Sequence, residues 1–224
     1  MRRLHKIALA AVAVEAAGAA YSFVVLPRLR RWGATDDEVS RPLPGDELVP
    51  DPLYTTTHAI SVAAPAAAVW PWLVQIGQNR GGFYTYDKLE NLMRLNVQSA
   101  DRIHPEWQDL RAGEDYMTLD PDETMKMTIA VLEPERAFVV RSGAPGELPQ
   151  EAGSLFRGEM AWTWGFYLEP AGAAESRLII RSRASWLPTV PAAFARALGL
   201  EPAHFIMEEG MLRGVRDRAE RAEG

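Results

Sequence analysis

Cysteine is absent from this chain of 224 residues. Its absence excludes disulfides, thiolate metal sites and a cysteine nucleophile, and it leaves the redox compartment open. An excess of positive charge is absent as well, because 24 Lys and Arg residues face 30 Asp and Glu residues, for a formal net charge of −6. Such a chain does not present a broad nucleic-acid-binding surface, so we expect no nucleic-acid partner.

Several sequence signatures of enzymes are also missing. The chain has no Gly-x-Gly-x-x-Gly dinucleotide fingerprint, no nucleophile elbow and no Ser-His-Asp order. His204 and Glu208 have the i, i+4 spacing of metal ligands on a helix, but the other histidines are scattered and no motif supplies a third ligand. We therefore predict neither a metal nor a cofactor.

The N-terminal 31 residues combine a basic start with an apolar stretch. Ile7–Leu26 is about long enough to cross a bilayer core, although Glu15 near its middle opposes insertion. We predict a single-pass membrane anchor of unknown orientation. A secretory signal peptide cleaved near residues 17–19, which would give a secreted protein, and an Ala-rich helix packed on the domain or on a partner are the alternatives.

A proline-rich segment follows the apolar stretch. The run "RPLPGDELVPDP" (Arg41–Pro52) carries four prolines and a Gly-Asp turn, which disfavour helix and sheet. Residues 32–52 are therefore predicted to form an extended tether. The globular domain is predicted to occupy residues 53–224.

Hydrophobic periodicity within that domain predicts an α+β fold. A curved antiparallel sheet wrapped around a long C-terminal helix, the helix-grip arrangement, would enclose a space suited to an apolar ligand. The predicted strands are 54–64, 115–119, 126–132, 137–142, 159–168 and 177–186. The predicted helices are 65–76, 86–95, 192–198 and 202–222, with a Gly/Pro-rich loop at 143–158.

Three runs resemble a known superfamily. They are "VWPWLVQIGQNRGGFYTYDKLENL" (Val69–Leu92), "ADRIHPEWQDL" (Ala100–Leu110) and "EPAHFIMEEGMLRGV" (Glu201–Val215). They are similar to a bacterial, largely uncharacterised, membrane-anchored branch of the SRPBCC superfamily, the START and Bet v 1-like proteins. The resemblance covers roughly residues 33–220 and implies the helix-grip fold. It leaves function open, because the superfamily includes lipid and hormone binders, polyketide cyclases and aromatases, and ring-hydroxylase subunits.

Aromatic residues dominate the set of candidate ligand contacts. In "MAWTWGFYL" (Met160–Leu168) the strand period of two places Trp162, Trp164 and Phe166 on one face, as a ligand wall, as an ordinary core, or as both. Methionines of the terminal helix would add an adaptable wall. The predicted ligand-binding residues are Tyr84, Tyr86, Arg102, Trp107, Trp162, Trp164, Phe166, Met207 and Met211.

Polar residues in the first two of these runs, 69–92 and 100–110, form a second candidate group. Asp87, Glu90 and Asn91 share one helical face, which could be solvated, could bind Arg102 or Arg80, or could hold a carboxylate pair for acid–base chemistry. We predict a mainly structural polar network of Asp87, Glu90, Asn91, Asp101 and Glu106.

Two further patterns each have a competing interpretation. The adjacent glycines Gly81 and Gly82 are predicted to make a tight turn rather than a phosphate cradle. Arg177, Arg181 and Arg183 share a strand face that is predicted to be solvated, with an anionic membrane surface as the alternative contact.

Three functions fit these patterns. We predict binding of a small hydrophobic molecule, such as a lipid or polyketide-like compound, in the internal cavity of a membrane-associated domain. The second hypothesis is a cyclase- or dehydratase-type enzyme that uses a buried carboxylate and a tyrosine. The third is a structural or assembly module at the membrane, with a protein partner that the sequence does not identify.

Overall fold

The structure, a computed structural model, describes residues 18, 20–92, 96–142, 161–185 and 201–223. Within these residues, six antiparallel strands form one sheet in the order β1-β6-β5-β4-β3-β2. The strands are β1 (Tyr54–Val62), β2 (Tyr116–Thr118), β3 (Lys126–Glu133), β4 (Ala137–Arg141), β5 (Ala161–Pro170) and β6 (Ser176–Ser185).

Five α-helices surround the described sheet. A π-helical turn (Tyr21–Val25) runs directly into the first of them. Two 3₁₀ turns, Asp46–Leu48 and Pro105–Trp107, lie in the connections. The helices are α1 (Leu26–Arg30), α2 (Asp36–Ser40), α3 (Ala66–Val74), α4 (Asp87–Leu92) and α5 (Glu201–Glu223).

The predicted helix-grip fold is confirmed by this architecture. Helices α3 and α4 connect β1 to β2, the next strands follow as hairpins, and β6 returns to pair with β1. Helix α5 packs on β1 and α3, and its apolar residues Leu212 and Val215 join Phe166 of β5 in the main core. The sheet and α5 thus bury their apolar faces against each other.

The glycine-rich run between α3 and α4 forms a tight turn. Gly77 and Gly82 exchange two backbone hydrogen bonds of 3.0 and 2.9 Å, and both have positive φ angles that favour glycine. Arg80 donates to the carbonyl oxygens of Val74 and Tyr116, at 3.1 and 3.0 Å. Its guanidinium therefore holds the turn against α3 and β2.

Residues 32–52 do not form an extended tether. They contain α2, which begins with a Thr35–Glu38 capping box, and their apolar residues Ala34 and Leu43 pack against the face of the sheet opposite α5. Leu43 joins Val139 and Ile179 in a second apolar cluster there. The chain follows the sheet in short turns, because the apolar residues between the prolines gain burial by contacting it.

A tyrosine and a glycine of β5 make close contact with this segment possible. The ring of Tyr167 lies over Gly165, where an added Cβ would come within 2.6 Å of the ring carbon Cζ. The Tyr167 hydroxyl donates to the carbonyl oxygen of Pro44 at 2.8 Å. Burial raises the pKa of Tyr167, so the hydroxyl keeps its proton for this bond.

The arginines of β6 bind the same segment, so the prediction that they face solvent is wrong. Arg181, only 3% exposed, donates to Asp46 Oδ2 at 2.7 Å and to the carbonyl oxygen of Arg41 at 2.9 Å. Arg177 pairs with Glu38 at 2.6 Å. Arg183 donates to the carbonyl oxygen of Val49 at 3.1 and 3.0 Å. Strand alternation placed them on the outer face correctly, but another part of the chain covers that face.

Most of the predicted membrane anchor (1–31) lies outside the described residues. In the part of the chain that the structure describes, no helix is long and apolar enough to span a bilayer. The predicted loop at 143–158 and the predicted helix at 192–198 also lie outside the described residues.

Replacing the buried cation of β6 should loosen the outer layer. Arg181→Met keeps the apolar stem but leaves Asp46 without its closest partner, so we expect a loss of about 3 kcal/mol in the free energy of unfolding. Urea denaturation measures it. Arg136→Met is the control, because Arg136 makes an exposed pair with Glu133 and should cost under about 1 kcal/mol. Equal losses in the two variants would contradict the buried role of Arg181.

Candidate functional site

A buried carboxylate lies where α5 crosses the sheet. Glu208 is 1% exposed, although it belongs to a residue type that is rarely buried without partners. Trp164 of β5 donates its indole N–H to Glu208 Oε1 at 2.7 Å, and Ser182 of β6 donates its hydroxyl to the same oxygen at 3.0 Å. These two donors are cross-strand neighbours in the β5–β6 pairing, so the sheet presents them together to the helix.

His58 of β1 contacts the other carboxylate oxygen. Its Nδ1 lies 2.6 Å from Glu208 Oε2, as a short ionic contact rather than an aligned hydrogen bond. Its Nε2 lies 2.7 Å from the carbonyl oxygen of Leu29 in α1. A carbonyl and a carboxylate are both hydrogen-bond acceptors, so the His58 ring lies between two acceptor groups in the interior.

His204 approaches the carboxylate from the surface side. Its Nε2 lies 3.2 Å from Glu208 Oε1, one helical turn away, and its Nδ1 lies 3.2 Å from the Tyr54 hydroxyl. The His204 side chain is 25% exposed, whereas His58 and Glu208 are closed off from solvent. The four groups therefore form a polar chain from the half-buried Tyr54 through His204 and Glu208 to His58.

The charges in this chain shift each other's pKa values. Burial opposes ionisation of Glu208, but the attraction of His204 and His58 outweighs it and holds the pKa of the carboxyl well below its ordinary value of 4.5. Burial likewise opposes the charged form of His204, but the Glu208 charge outweighs it and raises the pKa of that imidazole above 6.5. The site is thus arranged to keep a carboxylate ionised beside a protonated imidazole.

Helix α1 and the start of α5 cover this site. Arg30 donates two hydrogen bonds of 2.9 Å to Glu201, and its guanidinium lies 5.6 Å from the centre of the Tyr54 ring. Phe205 packs edge-on against both His58 and Trp32. The crevice between these residues is too narrow for a water molecule, so His58 is reached only if these elements separate.

The predicted aromatic wall lies next to the buried carboxylate. Trp164, Phe166 and Met211 are buried in the main core beneath α5. Trp162 and Met207 are half-buried. The Trp162 ring stacks on Trp164 with centres 5.9 Å apart, and it meets His204 edge-on at 6.4 Å. The row of aromatic rings therefore ends at the more exposed side of the polar chain.

The other predicted ligand contacts lie elsewhere. Tyr84 is buried and its hydroxyl accepts from Gln75 Nε2 at 2.8 Å, so it belongs to the core between α3 and α5. Tyr86 is 46% exposed, and its ring packs on the α5 backbone where Gly210 leaves room. Trp107 stacks on His104 with centres 4.1 Å apart. Arg102 is exposed in a separate surface pocket. The structure thus does not bring these four to the aromatic wall.

The predicted polar network is local in the structure. Asp87 accepts from the backbone N–H and the hydroxyl of Ser99 at 2.9 and 2.6 Å, and Asn91 exchanges two hydrogen bonds with the backbone of Val97. These bonds tie the 97–99 loop to α4, which also carries Glu90. Asp101 is exposed, and Glu106 is exposed beside His104 at 3.0 Å. Arg102 does not bond to Asp87 or to Asn91, so these two residues of α4 serve the 97–99 loop.

No sequence pattern predicts the polar chain, because its members are far apart along the protein. The signals were present separately: His58 lies on the inward face of a strand, and His204 and Glu208 share one helical face. Only the crossing of α5 over β1 brings them together. The described residues contain no group of three or more His, Asp or Glu side chains that could hold a metal ion.

Comparisons with known proteins gave matches among solved structures. No family model and no curated protein sequence matches the chain. Among solved structures, the Zhui aromatase/cyclase from Streptomyces sp. R1128 is 16% identical over 76% of this chain and 96% of its own, with a TM-score of 0.41. A protein from Nitrosomonas europaea is 15% identical over 81% and 99%, with a TM-score of 0.47. A norcoclaurine synthase from Thalictrum is 14% identical over 76% and 96%, with a TM-score of 0.40.

The coupled charges predict a stability maximum between about pH 4.5 and 6.5, the ordinary pKa values of the two groups. The raised pKa of His204 stabilises the fold below pH 6.5, and this contribution is lost as the pH rises through the folded value. The lowered pKa of Glu208 stabilises the fold above pH 4.5, and this contribution is lost as the pH falls further. Urea denaturation across pH 3–9 measures both losses of stability, the alkaline limb above about pH 6.5 and the acid limb below about pH 4.5.

Two variants, His204→Gln and Glu208→Gln, distinguish the alkaline loss of stability from the acid loss. His204→Gln should flatten the alkaline limb and leave the acid limb, because Glu208 keeps His58 as its partner. Glu208→Gln should remove both limbs and cost about 3–5 kcal/mol at pH 6, because it removes the buried negative charge that the donors and imidazoles of this site surround. An alkaline limb of unchanged slope in His204→Gln would disprove the coupling.

Proposed function

We propose that this chain is a helix-grip binding domain for a small apolar molecule with one polar group. The observation that carries the proposal is the aromatic row of β5, which leads from the buried core to the half-buried Trp162. Tyr54 and His204 lie at that end and can donate or accept hydrogen bonds. An apolar site with a few polar groups at one end is the usual composition of a small-molecule site.

The energetics favour Trp162 as the main contact rather than Trp164. Trp164 is already buried and its indole N–H is bonded to Glu208, so it holds the site in place. Trp162 keeps exposed surface and offers a rigid ring that a ligand could cover. Covering about 80 Å² of that ring would contribute about 2 kcal/mol, or roughly thirtyfold in affinity.

Membrane association is part of this proposal. The side chains of Phe23, Val24 and Val25, next to α1, are 81%, 46% and 39% exposed. Their apolar exposure supports the anchor inferred from the sequence, and α1 itself covers the crevice at His58. We expect the protein in the membrane fraction of its cell, and recovery in the soluble fraction alone would contradict this part.

A tryptophan substitution tests the binding site. Trp162→Ala should weaken binding of Nile red, a neutral apolar dye, by roughly thirtyfold, because it removes the ring that the dye would cover. Fluorescence titration measures the dissociation constant. Trp107→Ala is the matched control, since that half-buried ring stacks on His104 in the segment between α4 and β2. It should change the dissociation constant of Nile red less than about twofold. Equal effects of the two substitutions would refute the site.

Acid–base catalysis is the second candidate function, and the polar chain favours it. Tyr54 bonded to His204, with Glu208 behind it, has the order of a proton-transfer chain whose imidazole is oriented by a carboxylate. A bound compound with an acidic C–H or a leaving hydroxyl next to Tyr54 could then lose or gain a proton there.

Mass spectrometry of bound compounds distinguishes the two functions. For an enzyme, linear polyketide-like compounds incubated with the protein should lose one water. Tyr54→Phe should abolish that loss while Nile red binding persists, because the hydroxyl is removed and the aromatic row remains. Unchanged compound masses with the wild-type protein would leave binding as the function.

A further inference from the structure

A second pocket lies at the opposite end of α5 from the polar chain. It has a volume of about 290 Å³, at the lower end of the range for ligand sites, and lies between α3, the 101–103 loop and the last turns of α5. Arg218 in its lining is ten residues after Glu208, or about 15 Å along the helix axis. The pocket is therefore separate from the site described above.

Three arginines of this pocket lack acidic partners. Elsewhere in the described chain, most arginines pair with a carboxylate, as Arg30 does with Glu201 and Arg216 with Asp217. Arg102, Arg218 and Arg221 form no salt bridge with an Asp or Glu of the described residues, although the chain carries a net charge of −6. Concentrating unpaired cations in one concave place costs electrostatic energy that a bound anion would recover.

One of these arginines is held in position before any ligand arrives. Arg218 donates Nε to the carbonyl oxygen of Ala100 at 2.8 Å and Nη1 to that of Gly214 at 3.0 Å. Its guanidinium also lies 4.7 Å from the centre of the Tyr84 ring. Burial and the charge of Arg221 lower the pKa of Arg218, and the more distant charges of Asp87 and Asp217 offset this only in part. Because the Arg218 side chain is already held in place, it loses less conformational entropy when a ligand binds.

The remaining lining sets the character of the ligand. Trp72, which is buried, and Ile103, which is half-buried, give the pocket an apolar part of its lining beside the arginines. Asp101 is the acidic residue in the lining, and with the three arginines it leaves a formal charge of about +2. A phosphate monoester carries about −1.5 to −2 at pH 7, and its oxygens match the donor fork of arginine.

We propose that this pocket binds a phosphate monoester attached to a small apolar body. The phosphate is held by Arg102, Arg218 and Arg221, and the apolar body lies on Trp72 and Ile103. The same group occurs on soluble aryl or alkyl phosphates and on phosphatidic acid, so the source is either a free compound or a membrane lipid.

Phenyl phosphate is the probe for the soluble source. Isothermal titration at low salt should detect binding, and phenol at the same concentration should not bind, because it lacks the charged group. The double variant R102A/R221A should weaken binding by at least about tenfold, since two charge-assisted contacts are lost. R216A is the control, because it removes one half-buried cation of the same helix outside the pocket, and it should change affinity less than about twofold.

Three outcomes of the titration would overturn the proposal. They are no binding of phenyl phosphate by the wild-type chain, equal binding of phenol, and equal losses in R102A/R221A and R216A. Retained far-ultraviolet circular dichroism and an unchanged melting temperature show that the variants are folded. Unchanged Nile red binding in R102A/R221A separates this pocket from the proposed apolar site.

Vesicles test the lipid source with the same variants. Flotation of the protein with vesicles of phosphatidylcholine and phosphatidic acid should decrease in R102A/R221A and stay unchanged in R216A if the pocket takes the lipid headgroup. Phenyl phosphate should then compete with the vesicles. Equal losses in both variants would show general charge attraction and contradict a lipid ligand in the pocket, while binding of phenyl phosphate alone would assign it to a soluble compound.

Discussion

The packing of α5 on the sheet depends on the interactions of one buried group, the ionised carboxylate of Glu208. A buried carboxylate is tolerated only with full compensation, and here it comes from donors on β5 and β6, from His58 on β1 and from His204 on α5 itself. His58 extends the link to α1 through the carbonyl oxygen of Leu29. One carboxylate therefore sets the position of α5 over three strands and closes α1 over the site, and both proposed functions depend on that geometry.

On the outer face of the sheet the buried charge is positive, and it too is compensated by its neighbours. Arg181 is the buried charge there, and Asp46 and backbone carbonyl oxygens of residues 32–52 compensate it. The segment consequently becomes a third layer, which joins α1 to the sheet. A displacement of α1 would act on both faces at once, because the residues after it are bonded to β6 and its own carbonyl is bonded to β1.

Local patterns predicted the regular elements well and their polar partners poorly. The alternation in β5 predicted that Trp164 and Phe166 share a face, and the terminal helix begins and ends within one residue of its predicted bounds. Asp87 and Asn91 were correctly placed on one face of α4, yet their partners are Ser99 and Val97, which no spacing rule identifies. The arginines of β6 were placed on the correct face, but the layer that covers them comes from more than a hundred residues earlier in the chain.

The sequence alone thus determined the strands, helices α3, α4 and α5 and, from their order, the helix-grip fold with its aromatic row, because strand and helix periods are local properties of the chain. It did not predict α2. Tertiary structure decided which polar groups meet. His58 and Glu208 are 150 residues apart, and only the crossing of α5 over β1 brings them to 2.6 Å. The tertiary structure also places Arg102, Arg218 and Arg221 in one pocket with Trp72. The 101–103 loop and the end of α5 approach each other only in the folded chain. Charge compensation depends on distances in space, and for groups so far apart in the chain those distances follow from packing rather than from sequence separation.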